Sequence, residues 1–276
     1  MAYILLKILA FAAAFYFILI IAAYFLADKI AFPAPKPSYE LSEKYRMIDA
    51  PNGGKICTVF LKNPNAKYTV LFSHGNGEDL GEIAPKLENL YNLGFSVFAY
   101  DYFGYGQSTL KSFAKNIEIC AETAWQHLVK TENVPEDKII VFGYSMGSAP
   151  SAYLASKHNP RALILMGGFA SAFQTQLPVN IFPWEMLNNA QKIRHLRCPI
   201  LIFHGTKDAI VRYHNAEILY ESASCPKYLI SIKGAGHYDI PYSAPKAFFG
   251  GIKNFANTLD PNAENTMNVS VKTKIK

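Results

Sequence analysis

Metal-ligand and redox patterns are missing from this sequence. Its four cysteines, Cys57, Cys120, Cys198 and Cys225, lie far apart, with no C-x-x-C pair and no plausible histidine partner set. That excludes a zinc site of ordinary spacing and a dithiol redox motif, and the thiols read as buried and unpaired. Charge is sparse as well: charged residues make up 17% of the chain, and the net +6 is not gathered into a basic cluster outside the terminal "VKTKIK". Nucleic-acid binding is therefore not expected. No internal repeat is visible. With 50% apolar and 14% aromatic residues, the composition also excludes a largely disordered chain. A length of 276 residues suits one catalytic-size domain.

What the chain does have is an apolar N-terminus. From Ile8 to Leu26, "ILAFAAAFYFILIIAAYFL", nineteen residues carry no charge between Lys7 and Asp28-Lys29. At about 1.5 Å per residue, such a run spans a bilayer core of about 30 Å. It is longer than a signal-peptide core of about 7 to 15 residues, and no small-x-small cleavage site follows, because Phe25 would stand at the −3 position. The reading is an uncleaved single-pass anchor over residues 4–27, then a Pro-rich extended linker over 28–44 leading away from the membrane. Lys29, Lys36, Lys44 and Arg46 follow the run, against Lys7 before it, so the positive-inside rule expects the rest of the chain in the cytoplasm.

From residue 45 to 258 strand-like and helix-like segments alternate. Strands are expected at 57–61, 68–73, 95–100, 138–143, 162–168, 199–205 and 228–232, several of them continuous β-branched or aromatic runs suited to burial on both faces. Helices are expected at 79–93, 112–131, 146–158, 210–223 and 243–257. This rhythm predicts an α/β fold with a mostly parallel sheet and helices on both faces. Residues 169–195 break it and read as a small cap. The tail, 259–276, lacks apolar periodicity and reads as disordered.

"GYSMG", residues 143–147, follows the strand "KIIVF" and precedes a helix. G-x-S-x-G at that junction forms a tight turn that presents the serine at the carboxyl edge of the sheet, making Ser145 the candidate nucleophile. A serine hydroxyl needs a base, and the base needs an orienting acid. Asp208 in "FHGTKDAIV" and His237 in "SIKGAGHYDI" lie in loops after later strands, in the chain order Ser, Asp, His. Asp239 is a backup acid, Asp101 is assigned to bracing the loop "DYFGYGQS", and His74 to bracing its own loop. The backbone N–H groups of Met146 and of Asn76, in "HGNGEDLGE", are the candidate oxyanion donors. Phe169, Phe173, Phe182, Pro183 and Trp184 are candidates for an apolar acyl pocket.

Together "LFSHGNGEDLG", "YDYFGYGQS", "GYSMGSAPSAYLAS", "ILIFHGTKDAIV" and "GAGHYDI" resemble the α/β-hydrolase superfamily over about residues 57–256. Within it, they are similar to the membrane-associated serine hydrolases that include protein depalmitoylases and their yeast and bacterial relatives. The resemblance implies the α/β-hydrolase fold, nucleophile Ser145, acid Asp208, base His237 and an oxyanion hole near Asn76 and Met146. Two departures stand out. An apolar helix replaces the depalmitoylases' cysteine-rich lipidated N-terminus, and Tyr144 stands where their elbow usually has glutamine. The expected activity is cleavage of acyl esters or acyl thioesters, without metal or organic cofactor. The expected substrates are acyl-bearing small molecules, lipids or acylated proteins at a membrane. An acyltransferase using the same residues, or a non-catalytic binding protein on the same fold, are the alternatives.

Overall fold

The computed structural model describes residues 1–260, so the expectation for the tail lies outside the described residues from 261 onward. The N-terminal helix α1, Ala2–Ala31, has 30 residues. Its segment Ala2–Lys29 is long and apolar enough to cross a membrane.

All seven expected strands are present. They are β2 (Lys55–Leu61), β3 (Thr69–Ser73), β4 (Ser96–Tyr100), β5 (Ile139–Tyr144), β6 (Ala162–Met166), β7 (Ile200–Gly205) and β8 (Lys227–Ile232). An eighth, β1 (Tyr45–Asp49), pairs antiparallel with β2 at the sheet edge. Its sequence, "YRMID", is short and mixes apolar with charged side chains, none of them fully buried, so its pairing with β2 decides its conformation. The strand order is β1-β2-β4-β3-β5-β6-β7-β8. β2 runs antiparallel to β1 and β4, and every later pairing is parallel.

The period-2 alternation of the strands feeds two cores. Leu71, Val141, Leu163 and Ile202 point to one face, where α3 (Ile117–Lys130), α4 (Ser148–Lys157) and α6 (His214–Ser222) pack. Val70, Phe142, Ile164 and Phe203 point to the other, against α2 (Ala84–Asn92) and α8 (Pro245–Thr258). Every residue of β3 to β7 is buried, which is why those strands are continuous apolar runs rather than alternating ones. Two short helices had no clear sequence pattern: α5 (Asn189–Ile193) inside the cap segment, and α7 (Ile240–Ser243) before α8.

All four thiols are free. Cys57, Cys120 and Cys198 are buried and Cys225 is half-buried. Burial pushes the Cys57 thiol up to about 11 and the Cys120 thiol up to about 12.

Residues 32–44 contain neither helix nor strand, yet they are pinned to the domain. The Ser38 N–H donates to Asp79 Oδ2 at 2.7 Å, and the Gln107 side-chain amide donates to the Tyr39 carbonyl at 2.9 Å. The Tyr39 hydroxyl donates to Asp101.

Candidate active site

Ser145, Asp208 and His237 come from three different strand ends and meet at the carboxyl edge of the sheet. Ser145 directly follows β5, Asp208 lies three residues beyond β7, and His237 five beyond β8. Ser145 has φ +50°, in the left-handed region, a conformation costing roughly 1–2 kcal/mol in a residue with a side chain. Packing on both sides holds it there. A Cβ on Gly143 would meet the Gly147 carbonyl oxygen at 2.5 Å, and a Cβ on Gly147 would meet that of Ser73 at 2.0 Å. The two flanking glycines are thus required for close approach of backbone to backbone. Gly147→Ala is expected to cost roughly 3 kcal/mol or more, because rigid backbone cannot yield as a side chain would. A urea unfolding midpoint equal to wild type would refute that.

His237 Nε2 lies 2.8 Å from Ser145 Oγ, and His237 Nδ1 lies 2.6 Å from Asp208 Oδ2. The Nδ1–H donates to the carboxylate, which leaves Nε2 as an acceptor for the serine hydroxyl. Asp208 Oδ1 in turn accepts the backbone N–H groups of Ile210 at 2.9 Å and Val211 at 2.8 Å. The two carboxylate oxygens are therefore engaged separately, Oδ1 by the loop and Oδ2 by the histidine.

A family model described as serine aminopeptidase S33 matches residues 64–192. Alpha/beta hydrolase domain-containing protein aho-3 of Caenorhabditis elegans is 31% identical over 258 residues, covering 83% of this chain and 77% of that protein. Alpha/beta hydrolase domain-containing protein 17B of Homo sapiens is 31% identical over 246 residues, covering 78% and 85%. The chain belongs to the α/β-hydrolase superfamily. Among solved structures, an esterase of Pyrococcus furiosus superposes with a TM-score of 0.66 at 18% identity, over 80% of this chain and 95% of that one. The esterase domain of a Rhodothermus marinus protein gives 0.58 at 21%, over 76% and 95%. The chain is a hydrolase of the serine type.

In this hydrolase the other titratable residues near the site have separate partners. Asp239 accepts the Gly236 N–H at 2.7 Å and the Ser243 hydroxyl at 2.6 Å. The Ser243 hydrogen bond holds its carboxyl below the ordinary value, and it tethers the start of α7 rather than the histidine ring. Asp101 is fully buried and accepts the Leu80 N–H at 3.0 Å; burial pushes its carboxyl above the ordinary value. His74, also fully buried, donates from Nδ1 to the Gly75 carbonyl at 2.8 Å and stands 3.3 Å from Asp101.

Two contacts, one at His237 and one at Asp208, were not legible in the sequence. Tyr144 stacks on His237, with ring centroids 5.5 Å apart and planes 29° apart. Its hydroxyl donates to the His237 carbonyl at 3.3 Å. His204, at the end of β7, is fully buried beside Asp208. Its Nε2 donates to the Val211 carbonyl at 2.7 Å and lies 3.4 Å from Asp208 Oδ2. "FHG" at a strand end marks the position, but nothing in sequence spacing points the ring at Asp208.

Burial holds the His204 pKa below the ordinary histidine value, against the opposing pull of its hydrogen bond to the Val211 carbonyl and of Asp208, with His237 and His214 adding repulsion. Below the unfolded value of about 6.5 the unfolded chain takes up a proton that the native chain refuses, so stability falls as pH drops through that window. Urea midpoints at pH 7 and 5 should therefore fall further for wild type than for His204→Gln. Equal slopes would remove His204 from the acid sensitivity.

Ser145 opens on a cavity of about 630 Å³. Asn76, Met146, Phe169, Phe173, Ile210 and Val211 are among its lining residues. Of the aromatic residues expected to wall a pocket, Phe169 and Phe173 do so. Phe182 and Trp184 instead back Phe173, with centroids 4.6 and 5.7 Å from its ring, and Pro183 faces outward. Aromatic cap composition could not separate the wall from its support.

Proposed function

We propose that this hydrolase cleaves acyl esters or acyl thioesters at a membrane through an acyl-enzyme on Ser145. The observation that carries the reading is the hydrogen-bonded series Ser145, His237, Asp208 opening onto an apolar cavity. His237 takes the hydroxyl proton as Ser145 Oγ attacks the acyl carbonyl. Asp208 holds the ring with Nδ1–H toward the carboxylate and stabilises the imidazolium that forms. The backbone N–H groups of Met146 and Asn76 would hold the developing oxyanion, since both residues border the cavity beside Ser145. His237 then returns the proton to the leaving alkoxide or thiolate. In the second half it takes a proton from water, which attacks the acyl-serine and releases the acid.

The lining has few polar groups beyond Asn76, Thr175 and Ser145, which suits a hydrocarbon chain better than a polar acyl group. The apolar helix α1 supports single-pass anchoring, and the Lys and Arg residues that follow it support a cytoplasmic active site. The test is full-length protein in detergent assayed against ester and thioester substrates of two to sixteen carbons, with products identified. Release of the free acid, rising with chain length, is the expected result. Turnover confined to two- and four-carbon chains would overturn the long-chain reading, and transfer to an added alcohol in place of water would overturn hydrolysis.

A further inference from the structure

One wall of the cavity above Ser145 comes from outside the α/β domain. Leu19, Ala22, Ala23, Leu26, Ala27 and Ala31 of α1 line it. Their spacing of three and four residues places them on a single helix face. That face is fixed in place at several points. Asp28 Oδ1 accepts the Ala114 N–H at 2.9 Å, and the Tyr24 and Trp184 rings meet edge to face at 6.1 Å. The Tyr16 hydroxyl donates to the Ile181 carbonyl at 2.6 Å, and Phe32 at the helix end is buried in the core. A tether would need none of these contacts.

The Tyr16 contact also sets a depth. The apolar segment Ala2–Lys29 has 28 residues, about 42 Å of helix against a hydrocarbon layer of about 30 Å. Even with all the surplus length on the domain side, Tyr16 lies roughly 8 Å inside the layer. The cap carbonyl bonded to it lies at the same depth. There the cap carries exposed apolar side chains where a water-facing loop would be polar: Leu177, Val179 and Ile181 are 46%, 60% and 41% exposed. Interfacial elements immerse their apolar side by about 5–10 Å, a range that already contains this least depth.

We propose that α1 is a wall of the substrate site as well as an anchor, and that the cap edge Leu177–Ile181 sits in the bilayer. The cavity then receives the long acyl chain of a membrane-embedded substrate sideways from the lipid, without passage through water. This rests on the reading of Ser145 as the acyl-accepting nucleophile. The acyl chain would slide along the alanine face of α1 while its carbonyl reaches Ser145 at the cavity floor.

Two experiments on the full-length protein in phosphatidylcholine vesicles test it. In the first, Ala23→Leu with Ala27→Leu fills the helix-lined side of the cavity while leaving α1 apolar. The readout is the ratio of kcat/KM for a sixteen-carbon ester to that for a four-carbon ester. Each buried methylene is worth about fourfold in binding, so the ratio is expected to fall at least tenfold. An unchanged ratio overturns the helix as a wall.

The second needs no turnover, so it stands apart from the hydrolase reading. Vesicles whose acyl chains carry bromine at mid-chain are expected to quench a tryptophan placed on the cap edge by Val179→Trp in a Trp184→Phe background. Quenching should be strong there and largely absent in Trp184→Phe alone, since Trp125 is fully buried. Equal quenching of the two proteins overturns immersion of the cap. If quenching is as expected but no acyl substrate is turned over, the assigned chemistry fails and the membrane placement stands.

Discussion

Ser145→Ala is expected to lower kcat for acyl substrates by roughly 10⁴- to 10⁶-fold, the range seen when the nucleophile of a coupled Ser-His-Asp set is removed. The acyl-enzyme route is then closed, and only water attack in the cavity remains. Secondary structure should persist, because the hydroxyl's partner is His237 Nε2 rather than a core group. Ser145→Gly carries a second expectation. With φ +50° at this position, glycine relieves a strain of roughly 1–2 kcal/mol, so the variant should be more stable than wild type while equally inactive. Opposite movements of stability and turnover would mark the turn as strained for function. Turnover within tenfold of wild type in Ser145→Ala would remove the serine as nucleophile.

Asp208→Asn is expected to lower kcat/KM by about 10⁴-fold, through the histidine rather than through the fold. Oδ1 of the asparagine can still accept the N–H groups of Ile210 and Val211, which keeps the loop after β7 in place. The amide NH₂ that replaces Oδ2 cannot accept the Nδ1–H of His237, the hydrogen bond made at 2.6 Å in the wild type. The ring is driven to the tautomer that carries its proton on Nε2, and it can no longer take one from Ser145. Steady-state kinetics on a four-carbon ester, alongside a circular dichroism spectrum, checks both halves. A loss under tenfold would shift the orienting role elsewhere, with Asp239 two residues from His237 as the next position to replace.

The elements legible from sequence are those whose residues have one dominant physical demand. β3 to β7 must be apolar on both faces, so their runs stand out. The turn at Gly143–Gly147 must admit two backbone approaches, so its glycines stand out. β1 and α5 were not legible because their conformations are imposed by neighbours: an edge pairing for one, packing against α4 and α6 for the other. His204 and Tyr144 were missed as site residues for a related reason. A histidine at a strand end and an aromatic in the elbow are compatible with many surroundings, and only the packed structure puts one beside Asp208 and the other against His237.

Sequence by itself determined the fold class, the chain order of Ser145, Asp208 and His237, and the presence of a membrane-length helix, since each follows from local periodicity, spacing or length. The tertiary structure alone decided that α1 and Ser145 line one cavity. Residues 19–31 and residue 145 are more than a hundred positions apart, and no local preference links them. Their meeting depends on the contacts of Ile181 and Trp184 with α1 and on burial of Phe32 in the core. Such long-range contacts are selected by the free energy of burying apolar surface over the whole fold, a quantity that no short window of residues contains.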